Sequence, residues 1–301
     1  MWLYLCIASA MVLGIYDVFK KSAVKDNAPL LVLFFSVCAG AAVTLPVFLL
    51  SRLAPEAAAR IGLWCEVLPP QAHLLVLVKA VLVSISWISA FFALKHLPIS
   101  IVTPIRASAP LWTLFGAVFL FGERPTPLQW GGIAIILGSY SAFSLIGKKE
   151  GIIFTKNRWI LLVFLATVSG AASALYDKHL LRNAGIDPVT LQVWFSFYLV
   201  AVLGMTVLTV RRGFRIRTAK LEPRASIIFV GVLLIVADFL YFRALSMDGA
   251  LIAVISTVRR SSVIVSFTVG GLWFREKNKR EKALPLAGVL IGVTLLVVKT
   301  L

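Results

Sequence analysis

Two guanidiniums stand side by side at Arg259 and Arg260, inside the apolar run Ile-Ser-Thr-Val-Arg-Arg-Ser-Ser-Val-Ile-Val-Ser-Phe of residues 255–267. A charge in such a run is costly unless it faces water, a counter-ion or a ligand. A third, Arg106, sits in Ile-Arg-Ala-Ser-Ala-Pro at residues 105–110, again among apolar neighbours. The planar fork of arginine makes paired hydrogen bonds to phosphate or carboxylate, so the chemistry these residues offer is anion binding. Nothing in the chain points to bond-making. It has no nucleophile elbow, phosphate-binding loop or zinc-ligand spacing. His73, His96 and His179 fall at the ends of apolar runs and form no triad, and Cys6, Cys38 and Cys65 have no metal-ligand spacing. No enzyme activity, no cofactor and no metal are expected.

The elements that must position these arginines are membrane spans. With 60% apolar residues, the chain has far more hydrophobic surface than one soluble core could hide. A helix crossing the hydrocarbon core needs about 20 apolar residues. Ten stretches qualify: 2–19, 29–50, 72–94, 99–121, 128–146, 159–181, 189–210, 225–245, 250–274 and 283–298. The first lacks a basic leader and reads as a retained helix, not a signal peptide. Between the second and third spans, residues 52–71 read as a short interfacial helix with Ile61, Leu63, Trp64, Val67 and Leu68 on its apolar side. The expected fold is therefore an all-α integral membrane protein of ten transmembrane helices. A net charge of +17 could suggest nucleic acid, but no soluble domain carries it. Most of the 30 lysines and arginines fall instead on the connections that follow odd-numbered spans, above all Arg211, Arg212, Arg215, Arg217, Lys220 and Arg224. Positive connections stay inside, which puts these in the cytoplasm and both termini outside the cell membrane.

The chain also repeats itself. Gly-Ile-Tyr-Asp at residues 14–17 returns as Ala-Leu-Tyr-Asp at 174–177, and Ile-Arg-Ala-Ser at 105–108 returns as Val-Arg-Arg-Ser at 258–261. Arg106 to Arg259 and Glu123 to Glu276 are the same distance apart. Five spans per copy make the second copy enter from the opposite side, so residues 1–147 and 148–301 read as two inverted five-helix repeats. That is the construction of carriers that alternate access to a site at the midplane. By helical rise, Arg259 and Arg260 lie roughly 14 Å into their span and Arg106 roughly 10 Å into its own. All three can meet in one central cavity, with Ser256 continuing the polar face of the ninth span.

Lys79 on the third span and Asp238 on the eighth lie at equal depth, about 10 Å in, and are expected to pair across the halves. Otherwise one of them gates the cavity or carries a coupling proton. Tyr16 and Tyr176 sit beside Asp17 and Asp177 towards helix ends. They are candidates for the site, although interfacial anchoring is the plainer reading, with Asp17 answered by Lys20 and Lys21 and Asp177 by Lys178 or Arg182. Trp87 on the third span is a further candidate lining residue.

The chain resembles the drug/metabolite transporter superfamily in its ten-helix EamA-like branch, over nearly its whole length. The most specific match is the fourth span closing in Gly-Glu-Arg at residues 122–124, with Gln129, Trp130 and Gly131 opening the fifth, and Arg-Glu-Lys at 275–277 closing the ninth. The arginine motifs are similar to those of the sugar-phosphate and triose-phosphate translocators of that superfamily, where a basic residue on the fourth helix and a Lys-Arg pair on the ninth clamp phosphate. The resemblance implies a secondary-active transporter of a small organic anion, a phosphorylated metabolite first among them, with Arg106, Arg259 and Arg260 as the clamp. The alternative is a proton-coupled exporter of amino acids or amphipathic compounds, with structural arginines and Asp238 as proton carrier. Expected partners are an anionic small molecule and the lipid bilayer, with a homodimer allowed.

The orientation is testable by cysteine labelling. With the three native cysteines removed, Thr218→Cys should resist an impermeant thiol reagent in intact cells and Leu301→Cys should react. Labelling at 218 but not at 301 would reverse the topology.

Overall fold

The computed structural model describes residues 2–109, 111–112, 126–149, 151–213, 221–247, 255, 258–275 and 278–297. Among these, every regular element is helical. The first half contributes α1 (Trp2–Val24), α2 (Pro29–Leu53), the short α3 (Pro55–Arg60), α4 (Pro70–His96), α5 (Ile99–Ala107) and α6 (Pro127–Lys149). The second half contributes α7 (Arg158–Lys178), α8 (Pro188–Gly213), α9 (Ala225–Ser246), α10 (Ser262–Trp273) and α11 (Lys279–Val297). Helix therefore falls on some part of each expected stretch. Seven of these helices, α1, α2, α4, α6, α7, α8 and α9, are long and apolar enough to cross a membrane, the candidate span of α6 starting at Trp130. Residues 110 and 113–121 of the fourth stretch and 250–254 and 256–257 of the ninth lie outside the described residues, as do Thr218 and Leu301. Helix α11 opens on Lys279, Arg280, Glu281 and Lys282 and is less apolar.

Local chemistry sets the helix starts. Proline, whose missing N–H costs nothing in the first turn, opens α2, α3, α4, α6 and α8. Asp187 caps α8 by accepting from Val189 N at 2.8 Å and Thr190 N at 3.2 Å, and Asn157 caps α7 through Trp159 N at 2.9 Å. The expected interfacial helix is shorter than the sequence suggests. Gly62, at φ +68°, stops α3 with Gly62 N on Ala59 O and Leu63 N on Ala58 O, both at 3.0 Å. Leu63, Trp64, Val67 and Leu68 consequently follow in non-helical chain; Cys65 and Leu68 are buried, while Val67 stays exposed.

The first half packs on the second at every level. Helix α1 lies along α9 and α10, α4 along α7 and α8, α2 along α8 and α9, α5 on α10, and α6 on α11. Small residues allow the close approaches. A Cβ on Gly14 would meet Val265 Cβ at 2.5 Å, and one on Gly231 would meet the Ser36 carbonyl at 2.1 Å. Hydroxyls then join the same helices through backbone: Ser9 Oγ donates to Ala237 O and Ser86 Oγ to Ala166 O, both at 2.7 Å. Close backbone approach and interhelical hydroxyl bonds are the forces available to helices whose apolar faces gain nothing by leaving lipid.

Candidate functional site

Between the halves lies a cavity of about 150 Å³. Tyr16, Asp17, Lys79, Trp87 and Arg106 of the first half line it, with Asp177, Asp238, Arg259 and Arg260 of the second. Thr103, Thr167, Ser173 and Ser262 add hydroxyls, and Phe195, Phe242 and Leu234 an apolar side. Of the residues singled out in the sequence, the fold brings together all but two. Ser256 lies outside the described residues. Tyr176 is turned away, its hydroxyl donating to Leu75 O at 3.2 Å and its ring lying against His179.

The arginines stand next to two matched breaks in the helical course. Helix α5 ends one residue after Arg106, and a turn at Ser261 follows Arg260. Ser108 Oγ donates back to Ile105 O at 2.7 Å and Ser261 Oγ to Val258 O at 2.6 Å. Backbone bonds repeat likewise: Leu111 N reaches Ser108 O, and Ile264 N reaches Ser261 O, each at 2.9 Å. These partners are spaced as Arg106 is from Arg259, so one local geometry is built twice. A serine bonding its own preceding turn loosens the regular ladder and re-aims the residues before it.

Most of the cavity's charges are answered. The expected pair of Lys79 with Asp238 does not form. Lys79 Nζ donates instead to Asp177, and Arg259 Nη2 to Asp238. Depth alone cannot tell which neighbour a side chain faces: α4 lies on α7, which carries Asp177, whereas Asp238 on α9 faces Arg259. Lys79 is also enclosed by rings, its ammonium 4.4 Å from the Phe195 centroid and 5.2 Å from that of Phe242. The guanidinium of Arg259 lies over the Tyr241 ring at 4.1 Å. Such cation–ring contacts add to the compensation of a desolvated charge.

Asp17 and Asp177 were not foreseen as cavity residues. Asp17 takes the Lys20 ammonium, as expected, and has Arg106 Nη1 at 4.0 Å, while Lys21 goes to Leu97 O at 2.7 Å. Arg182 does not replace Lys79 on Asp177 but donates to Leu245 O at 3.1 Å and Met247 O at 2.8 Å; the Lys178 side chain lies outside what the structure describes. Tyr16 is buried against Lys20, 4.4 Å from its ring centroid, and is no interfacial anchor. The repeated Tyr-Asp pairs at residues 16–17 and 176–177 were the signal that could have placed both carboxylates. Arg243, by contrast, is exposed, as a residue near a helix end should be.

Arg260 differs from the others. Among the described residues no carboxylate lies within ion-pair distance of it, whereas Arg259 has Asp238; the Nε atoms of both arginines are buried without a hydrogen-bond partner. Among the described residues Arg106 has only the long contact to Asp17, and a quarter of its side chain is exposed.

Among the described residues the chain is a helical bundle with seven candidate membrane spans and a charged cavity between its two halves, an arrangement suited to a membrane transporter. Residues 1–145 match the model of the EamA-like transporter family. That stretch, just under half of the chain, is what is similar to the EamA-like transporter family. It is also similar to the pseudopaline exporter CntI of two Pseudomonas aeruginosa strains, UCBPP-PA14 and PAO1, each 23% identical over 96% of this chain and 92% of the exporter. A solved crystal structure shares the fold at a TM-score of 0.63 and 14% identity, covering 99% of this chain and 98% of that one.

The revised pairing generates a stability prediction. Lys79→Met or Asp177→Leu alone should cost about 3–5 kcal/mol, because each leaves a buried charge without its partner, and the double variant should recover most of that. Thermal unfolding in detergent measures the cycle. Additive losses at 79 and 177, or recovery from pairing Lys79→Met with Asp238→Leu instead, would contradict this assignment.

Proposed function

We propose that this transporter is a secondary-active carrier of a small organic anion, a phosphorylated metabolite first among the candidates. In this reading it works by alternating access between two inverted five-helix repeats, residues 1–147 and 148–301, in the cell membrane. Arg106, Arg259 and Arg260 form the anion clamp. The observation that carries the reading is Arg260: a half-buried guanidinium with a buried Nε and, among the described residues, no carboxylate, lining the same cavity as Arg106 of the other half. Positive charge in excess at such a place calls for an anion. The repeat reading is supported by the paired contacts, since α1 on α9 is answered by α7 on α4, and by the duplicated turns at Ser108 and Ser261. An anion held from both halves tightens one arrangement and is released as the halves part.

The similarity to an exporter supports outward movement. It equally supports a second reading, a proton-coupled exporter of amino acids or amphipathic compounds. The tight Asp238–Arg259 pair and the aromatic side at Trp87 and Phe195 favour that second reading.

Counter-flow into liposomes distinguishes the two. Purified protein loaded with candidate phosphorylated or carboxylated metabolites should exchange them. Arg106→Gln and Arg260→Gln should abolish exchange while remaining folded, and Arg260→Lys, which keeps the charge but loses the two-pronged contact, should weaken it about tenfold or more. Intact exchange in these variants, or transport confined to cations and neutral compounds, would transfer the case to the proton-coupled exporter.

A further inference from the structure

The charges around the cavity do not balance, and the imbalance is countable. Cations are supplied by Lys79, Arg106, Arg259 and Arg260 on the lining and by Lys20, which is buried behind Asp17. Carboxylates among the described residues are Asp17, Asp177 and Asp238 alone. Lys282 is buried as well, but it lies at the start of α11 and donates to Ser100 Oγ, away from the lining. Two positive charges therefore stand over the carboxylates, and geometry says which. Lys20 holds Asp17, Lys79 holds Asp177 and Arg259 holds Asp238, which leaves Arg106 and Arg260.

Resting on the anion reading above, we infer that the cavity selects a doubly negative substrate, and that Asp238 is the residue setting this number. A dianion between Arg106 and Arg260 brings the desolvated cluster to neutrality. A monoanion leaves one guanidinium uncompensated, and a trianion brings a charge with no partner, because Arg259 is already occupied by Asp238. Asp238 is in effect a tethered anion on the ninth-span arginine pair. Of the three carboxylates it is the one hydrogen-bonded by a clamp arginine; Asp177 is held by Lys79, and Asp17 by Lys20 with Arg106 no nearer than 4.0 Å. Asp238 thus determines specificity without itself contacting the substrate.

A carboxylate series of one chemistry and rising charge tests the count: butyrate, succinate and tricarballylate, all fully ionised at about pH 8. Apparent affinities are read from thermal stabilisation of the purified protein against ligand concentration. Wild type should favour succinate over both others by about tenfold, the effect of one unit charge across a partly desolvated cavity. Arg260→Gln should lower the optimum to butyrate. Asp238→Asn, which frees Arg259, should raise it to tricarballylate. Removing the pair together, Asp238→Asn with Arg259→Gln, restores the count and should return the optimum to succinate. If the single Asp238 variant fails to fold, the Arg260 variant and the pair deletion still decide. A merely structural pair would alter stability but leave the ranking alone. Anions that stabilise every form in one unchanged order would overturn the charge count while leaving the anion site standing. If none of the three stabilises wild type while cations or zwitterions do, the anion reading falls and this inference with it.

Discussion

Desolvated positive charge at the centre of a helix bundle is the constraint to which the other features answer. Each ammonium or guanidinium taken from water needs a carboxylate, a ring face or a ligand. The chain meets that demand mostly within each half, and once across the two. Lys79 of the first half depends on Asp177 of the second, and Phe195 and Phe242 enclose it. Arg106 looks to Asp17 on its own half, and Arg259 to Asp238. Since these pairs sit where α1, α4, α7 and α9 converge, helix packing and charge compensation are one problem with one solution. The glycines that let α1 approach α10 and α2 approach α9 bring the charged faces within reach of each other.

The two pairs also differ in what they leave available. Lys79 is almost wholly covered, with 3% of its side chain exposed, so its pair serves mainly to hold α4 against α7. Arg259 and Asp238 keep 17% and 12% exposure on the cavity side, where a ligand can sense them. Arg260, next in sequence to Arg259, has no such partner among the described residues. Adjacent arginines thus do different work because a helix turns about 100° per residue and presents only one of them to Asp238. The serines that follow, Ser108 and Ser261, interrupt the helical ladder where the arginines must face inward.

Much of this was legible in the sequence. The helical stretches and the arginine motifs follow from run length and spacing, and the cavity gathers Arg106, Arg259, Arg260, Lys79, Trp87, Tyr16 and Asp238. Partner choice was not legible. Lys79 and Asp238 share a depth, but depth along a helix says nothing about rotation about its axis, and Asp177 proved to be the lysine's neighbour. The same blindness hid the split between Tyr176 and Asp177, consecutive residues of which only the aspartate faces the cavity. The end of α3 at Gly62 depended on a left-handed backbone residue that an apolar pattern does not encode.

The central claim is that an anion sits between Arg106 and Arg260. Anomalous diffraction from crystals grown with selenate, a tetrahedral dianion, locates such an anion directly. A selenium peak within hydrogen-bond reach of both guanidiniums, with Arg259 still on Asp238, is the expected result. A cavity empty of selenium while basic surface connections are occupied, or a peak reached by displacing Asp238 from Arg259, would contradict it.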